Sequence, residues 1–461
     1  MRKENQKLRV AIIGSGPAGF YTADRIFKKS PVPVQIDMFD LLPTPHGLVR
    51  QGVAPDHQKI KSVSKMFDKI ASEPGFRFFG FVEFGKDITL SDIRKNYHQI
   101  VFATGAQTDK KIQIPGEDLV RSHTATEFVA WYNGHPHFSN LDFDLSGERA
   151  VIIGVGNVAV DVARILCLSP AEMLKTDIAD YALEKLSSSG IKEVFIIGRR
   201  GPAQAAFTNP ELKELGNLEE ADAQARPEDV RLDTVTSKFL EKNPDAATEK
   251  KLEILRGFSQ RRSGKKKTLH FRFLLSPLSI DPGTDGGVQS VTFAKNRLVK
   301  KDDGTLAANA TGETETMEVA IIFRSIGYTG VALKDVPFDE KSGVIPNDAG
   351  RVLDKPGGKQ LEGLYTTGWI KRGATGIIGT NKMDSTETVD LMLEDFAEGK
   401  TLSPSAPQDA VDKLLQKTKP DYVSYRKWSY IDGKEKTKGE KTGRPRVKYT
   451  SIEDIFKALK K

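Results

Sequence analysis

Val10-Ala11-Ile12-Ile13-Gly14-Ser15-Gly16-Pro17-Ala18-Gly19 is the stretch on which the fold turns. Its aliphatic half is short enough to be one buried strand, and it passes directly into Gly-x-Gly-x-x-Gly and then into a helical pattern that reaches Phe27. In a dinucleotide-binding βαβ unit the first glycine permits the tight turn, the second admits a pyrophosphate to the backbone, and the third lets the helix pack on the strand. Gly14, Gly16 and Gly19 supply those three positions, and the helix N-terminus then faces the phosphates. The next aliphatic run, Val34 to Phe39, ends at Asp40, about 20 residues beyond the turn. A carboxylate there accepts hydrogen bonds from a ribose and repels a 2′-phosphate, so this unit suits FAD or NAD.

The arrangement recurs about 140 residues later, where Ala150 to Ile153 leads into Gly154-Val155-Gly156-Asn157-Val158-Ala159. Alanine in the third position is an accepted variant. The partner strand, Glu193 to Ile197, ends in Gly198-Arg199-Arg200. Two guanidiniums replace the ribose-binding acid, and their planar donor forks suit an added phosphate, so this second unit should prefer NADP. An additional helix near Ala171 to Leu186 separates turn and arginines. Glu211, in Asn209-Pro210-Glu211-Leu212, either contacts the second ribose or the nicotinamide, or serves as a helix-start acid. Further strands are expected at Gln99 to Ala103, Val319 to Ser325 and Gly363 to Thr367, and a helix from about Asp384 to Phe396. The fold class is α/β with two Rossmann-like units, and the earlier position of the acidic one favours FAD there.

Composition removes several competing chemistries. Cys167 is the only cysteine of 461 residues, which excludes an intramolecular disulfide, a redox cysteine pair, a cysteine-ligated cluster and a thiolate zinc site. No metal site is expected, and Cys167 itself reads as a buried helical thiol. A flavin-dependent disulfide reductase is thereby set aside. No apolar run has transmembrane length, and the short polar start, Met1 to Leu8, leaves no room for a cleavable leader, so a cytoplasmic protein is expected. The formal charge is +7. Two basic runs, Arg261 to Lys267 and Arg426 to Lys448, match no nucleic-acid motif. Solvated charge is their plain reading, and docking of an acidic partner the sharper one.

Longer runs carry more specific information. They are Leu48-Val49-Arg50-Gln51-Gly52-Val53-Ala54-Pro55-Asp56-His57, Ala103-Thr104-Gly105-Ala106, Gly198-Arg199-Arg200-Gly201-Pro202, Gly368-Trp369-Ile370-Lys371-Arg372-Gly373 and Thr375-Gly376-Ile377-Ile378-Gly379-Thr380-Asn381. Together with both glycine turns, they make the chain resemble the adrenodoxin reductase family of ferredoxin-NADP reductases, bacterial members included, over essentially its whole length. The resemblance implies an FAD domain in two pieces, 1–107 and 325–461, with an NADP domain, 108–324, inserted between them. It implies FAD contacts at Ala18, Asp40, Leu48, Val82, Trp369, Gly376, Ile377 and Ile378, and NADP contacts at Val155, Gly156, Asn157, Val158, Arg199, Arg200, Glu211 and Gly376. His57 and Glu211 match a polar pair near the nicotinamide, His57 orienting or managing a proton rather than attacking.

The sequence departs from the family pattern at three positions. Asp40 is shorter than the glutamate often found there, His46 stands in place of an aromatic, and Ala374 in place of proline. The activity implied is hydride transfer from NADPH to FAD and single-electron transfer to a small acidic iron-sulfur protein such as a ferredoxin, by a monomer. A diaphorase or quinone reductase with small-molecule acceptors shares every feature named so far. A non-catalytic NADP-binding module would differ only in failing to bleach its flavin.

Overall fold

The computed structural model describes residues 7–262 and 264–460. Residues 1–6, on which the leader argument mostly rests, lie outside that range. Two sheets organise the chain. The first has seven strands in the order Asn347–Asp348, Arg351–Leu353, Gln360–Thr366, Gln99–Phe102, Leu8–Ile13, Val34–Asp40 and Phe76–Gly80. Its five central and right-hand strands are parallel, with Leu8–Ile13 in the middle. These strands are aliphatic on both faces because both are covered: Val10 and Ile12 pack towards the helix Pro17–Lys29, Ala11 and Ile13 towards Ile93 and Phe102.

The second sheet has six parallel strands, in the order Ser122–Thr124, Ile321–Arg324, Arg149–Ile153, Glu193–Ile197, Lys267–Arg272 and Ala221–Ala225. The helix Asn157–Cys167 lies against it, with Val160, Val162 and Ala163 buried. Cys167 ends that helix in the core, where burial pushes its thiol up to about 12. Beside this sheet stands an antiparallel sheet of three strands, Leu275–Pro282, Val288–Lys300 and Leu306–Glu318. The chain passes between the two parallel sheets at a short antiparallel ribbon, Thr108–Asp109 with Tyr328–Thr329.

Every strand expected from the sequence is present, with ends shifted by a few residues at most. The helix expected near 171–186 is two helices, Pro170–Met173 and Asp180–Ser187, and the one expected near Asp384 begins earlier, at Thr380, and runs to Glu398. The three-stranded antiparallel sheet was not foreseen. Among the described residues no helix is long and apolar enough to cross a membrane.

The two basic runs differ. In the first, Arg261, Arg262, Lys265 and Lys266 are exposed, as solvated charge is, although Arg261, Lys265 and Lys267 also donate to the backbone carbonyls of Gly216, Leu218 and Leu166 and Lys266 pairs with Glu220 at 2.6 Å. Ser263 in that run lies outside the described residues. In the second run Tyr425–Glu440 is a helix, and the residues after it form an internal strap rather than a solvated tail. Arg444 pairs with Asp180, Arg446 with Asp432 and Glu435, and Lys448 is buried 3.4 Å from Asp177. Burial lowers the pKa of Lys448, and a carboxylate shared with the equally buried Lys61 holds it in place. Arg444 and Lys448 thereby tie the C-terminal segment to residues 177–180, while Arg446 braces the helix Tyr425–Glu440.

Candidate active site

The parallel strands of each sheet deliver their glycines to the carboxyl edge, where open α/β sheets bind ligands. At the first edge Gly14 has φ +107°, and a Cβ there would lie 2.4 Å from the carbonyl oxygen of Ala103. A Cβ on Gly19 would lie 2.3 Å from the carbonyl oxygen of Gly14, which is the close helix-strand contact the third glycine exists to permit. At Gly16 a Cβ would meet no atom within 4 Å, so the turn opens onto free space.

Segments far apart in sequence close around that space. The backbone of Gly47 reaches the turn, since its Cβ would sit 2.8 Å from the Cα of Gly16, and Leu48 follows it, 39% exposed. Gly368 reaches Ala18, a Cβ there standing 2.6 Å from the Ala18 methyl. Trp369 donates its indole N–H to the carbonyl of Thr375 at 3.0 Å and lies tilted on Tyr328, ring centroids 5.4 Å apart. Gly376 has φ +77°, and Ile377 and Ile378 continue the loop into the helix Thr380–Glu398, with Ile377 60% exposed. Val82 is buried and donates its N–H to the carbonyl of Asp40 at 2.9 Å. Gly47 and Gly368 are thus packed on the first turn and its helix, and Val82 on the strand end at Asp40.

Asp40 does more than the sequence suggested. Its carboxylate accepts from the N–H and hydroxyl of Ser15, at 2.8 and 2.5 Å, and from the N–H of Leu42 at 2.9 Å. Burial raises its pKa, and these three bonds draw it part of the way back. A carboxylate has about four acceptor sites, so roughly one remains for a ribose hydroxyl while the others brace the turn.

The second edge repeats the design with different chemistry. Gly154 has φ +139° and backs onto the carbonyl of Ser325, while Gly156, like Gly16, opens onto space free of protein atoms within 4 Å. Val155 touches Gly198, its Cγ1 2.9 Å from where a Cβ would be, so the turn abuts the Gly198-Arg199-Arg200 edge. The chain after the arginines folds back onto the same turn. Val155 accepts at its carbonyl from Ala206 and Phe207, at 2.8 and 3.0 Å, and the Asn157 side chain accepts from Thr208 N–H at 2.8 Å. Among the described residues neither Arg199 nor Arg200 has a carboxylate partner, and burial together with the charge of Arg199 lowers the pKa of Arg200. In the same loop Gln204 Oε1, Asn209 Oδ1 and Glu211 Oε2 are buried acceptors without a hydrogen bond. Buried acceptors left open beside free guanidiniums fit a ligand that brings both phosphate and hydroxyl or amide donors.

The Asp56–His57 loop meets the second unit through two carboxylates. His57 Nε2 lies 2.8 Å from Glu214 and its Nδ1 is 3.9 Å from Asp161. Glu211 and Glu214 are one turn apart on the short helix Asn209–Glu214, and the later residue is the one that reaches the Asp56–His57 loop. Arg164 completes the cluster, donating to Asp56 at 2.6 Å and to Asp161 at 2.8 Å. Burial raises the pKa of Asp161 although Arg164 and His57 oppose it, whereas at Asp56 the attraction of Arg164 outweighs burial and the pKa falls. Glu214, Asp161 and Arg164 were not singled out from sequence. Only the Glu-Leu-Lys-Glu spacing at 211–214 hinted that a second acid shared the helix face. No group of three or more His, Cys, Asp or Glu side chains among the described residues could hold a metal ion.

Two glycine turns on parallel sheets, one edged by acid and one by arginines, define a two-dinucleotide oxidoreductase. The sequence profile of the pyridine nucleotide-disulphide oxidoreductase family accordingly matches residues 8–200. Similarity continues over the rest of the chain, which is 44% identical over 464 residues to the NADPH-ferredoxin reductase FprA of Mycobacterium tuberculosis (strain ATCC 25618 / H37Rv), covering 97% of this chain and 98% of the relative. It is 40% identical over 466 residues to the mitochondrial NADPH:adrenodoxin oxidoreductase of Arabidopsis thaliana, covering 98% and 96%. The solved structure of Mycobacterium tuberculosis FprA in complex with NADPH superposes with a TM-score of 0.93 at 41% identity, covering 99% of this chain and 100% of that one. The chain belongs to the adrenodoxin reductase-like family of ferredoxin-NADP reductases.

Proposed function

We propose that the protein is a monomeric, cytoplasmic FAD enzyme that takes a hydride from NADPH and passes electrons singly to a small acidic iron-sulfur protein of the ferredoxin type. In this reading residues 1–107 and 325–461 hold FAD and residues 108–324 hold NADPH. The observation that carries it is the pair of open glycine turns with opposite edges, Asp40 at one and Arg199-Arg200 at the other. Bound FAD would supply the conversion between two-electron hydride chemistry and one-electron transfer. The chain's own residues bind and orient. Gly14, Gly16, Ala18 and Gly19 admit the flavin nucleotide, Asp40 keeps one acceptor site for its ribose, and Leu48, Val82, Trp369 and the Gly376–Ile378 backbone enclose it. Gly154, Val155, Gly156, Asn157 and Val158 cradle the second dinucleotide. Arg199 and Arg200 take its extra phosphate, and Glu211 accepts from its ribose or amide.

His57, held between Glu214 and Asp161, has the position to orient the nicotinamide or hold a proton beside it. No nucleophile is required. The test is the visible spectrum of the purified protein before and after NADPH or NADH. A yellow protein bleached much more readily by NADPH is expected, and a colourless protein that cannot be reloaded with flavin refutes the reading. Cytochrome c reduction that rises when ferredoxin is added separates this activity from that of a diaphorase.

A further inference from the structure

The helix Ala246–Ser259 belongs to the part of the chain whose role no motif predicted, and it carries one side chain aimed at the second cradle. Lys251 is half-buried, donates from Nζ to the carbonyl of Ala205 and lies over the Phe207 ring at 5.8 Å. Among the described residues it has no carboxylate partner. The acid that acts on it from a distance, Asp245, is occupied capping the helix, accepting from Thr248 N–H at 2.9 Å and Thr248 hydroxyl at 2.6 Å. A lysine half-withdrawn from water and met only by one carbonyl and a ring face is costly to bury.

The carbonyl it grips is the hinge of the second cradle. Ala205 immediately precedes Ala206, Phe207 and Thr208, whose three N–H groups bond to Val155 and Asn157 of the glycine turn. Asn209 follows, its side chain donating to the carbonyl of Ala247 on the same helix at 3.0 Å, and opens the helix that carries Glu211 and Glu214. One lysine and one asparagine therefore fasten the loop between the arginine edge and the glycine turn to a rigid element behind it.

We propose that Lys251 is a positioning residue for the nicotinamide dinucleotide: by clamping Ala205 it holds the 205–208 loop on the second glycine turn and presets the cradle. This rests on the NADPH-dependent reading above. A preset loop spares the ligand the cost of ordering it, so removing the clamp weakens binding of any nicotinamide dinucleotide and leaves the chemical step alone. The hydrogen bond, not the charge, is what the clamp needs.

The test uses the flavin-loaded enzyme and three variants, Lys251→Met, Lys251→Gln and Lys251→Arg, with calorimetric titration of NADP+ and NAD+ and steady-state ferricyanide reduction. Lys251→Met should weaken NADP+ about tenfold and NAD+ by a similar factor, raise KM for NADPH in step, and change kcat less than twofold. Lys251→Gln and Lys251→Arg, which still donate to Ala205, should stay within about threefold of wild type. Unchanged NADP+ binding in Lys251→Met overturns the proposal, as does a loss confined to NADP+, which would mean direct contact with the phosphate. If Lys251→Met does not fold, a tenfold loss in Lys251→Gln overturns it and near-native binding supports it. Wild-type enzyme that binds no NADP+ would instead refute the functional reading itself.

Discussion

His46 offers a sharp physical test, because a titratable ring sits among aromatic ones. It is 4% exposed, tilted against Phe20 and Phe67 and edge-on to Trp428, with ring centroids 5.5 to 5.8 Å away. Its backbone, at φ +82°, donates to the carbonyl of Ser15 in the flavin-side glycine turn. Asp68 lies 3.5 Å and the Tyr425 hydroxyl 3.4 Å from Nε2, while Arg50, Arg446 and Lys436 oppose a proton and Asp432 favours one. Burial dominates and pulls the pKa down to about 3.

The sign follows from linkage. A histidine that ordinarily titrates near 6.5 is kept neutral by folding, so its contribution is complete above pH 6.5 and is lost progressively as pH falls towards 3. Between pH 7 and pH 5 the unfolded chain gains the proton and the folded one does not, which costs about 2 kcal/mol of stability. That figure barely depends on the folded-state value, provided it stays well below 5. The perturbation is His46→Phe. The strain of a positive φ adds a pH-independent penalty to the variant, so the comparison is between slopes. Urea unfolding of the flavin-loaded protein, followed by flavin fluorescence at pH 7 and pH 5, should show the wild type losing about 2 kcal/mol more than His46→Phe across that interval. Parallel losses would show that the His46 ring takes up its proton in the native state.

Two further outcomes follow from the cradles. Gly156→Ala and Gly16→Ala place a methyl in space that holds no protein atom within 4 Å, so each should fold within about 1 kcal/mol of wild type, as substitutions without steric or polar conflict do. Gly156→Ala should then lose NADP+ affinity more than tenfold in calorimetry while keeping its flavin, and Gly16→Ala should purify with depleted flavin; retention of both ligands in both proteins would remove the turns from their roles. Replacing Arg199 and Arg200 together by alanine deletes two charged hydrogen-bond partners worth about 1.5–3 kcal/mol each, so the NADPH-over-NADH preference in kcat/KM should fall at least a hundredfold, and an undiminished preference would acquit the pair.

Seven strands of the parallel sheets were legible because burial on both faces makes most of them short aliphatic runs that lead into glycine, whereas Phe76–Gly80, Ser122–Thr124, Ala221–Ala225 and Lys267–Arg272, shorter or broken by polar residues, were not foreseen. The antiparallel strands Val288–Lys300 and Leu306–Glu318 lacked that signal. Leu306–Glu318 is polar, largely exposed and stabilised by pairing along its length rather than by its own hydrophobicity, and nothing local marks it as a strand. The strap had the opposite problem. Arg444, Arg446 and Lys448 look like solvated charge in isolation, and only the positions of Asp180, Glu435 and Asp177, as much as about 270 residues away in sequence, reveal them as internal.

The site divides along the same line. Gly14, Asp40, Gly154 and Arg199 sit at or just past the ends of strands whose spacing the backbone fixes, so a spacing rule finds them. His57 and its carboxylates come from three segments, the 56–57 loop, the helix Asn157–Cys167 and the helix Asn209–Glu214, and no spacing within one segment encodes which acid meets the ring. Its place behind the arginine edge and the resemblance both pointed to Glu211, and packing supplied Glu214. The difference has chemical content. Glu211, left with an open buried oxygen, remains available to a ligand, while Glu214 is engaged by the histidine and Asp161 by Arg164. A histidine whose Nε2 already meets Glu214 is held from one side before any substrate arrives, and its other nitrogen, 3.9 Å from Asp161, is left without a close partner in that pair.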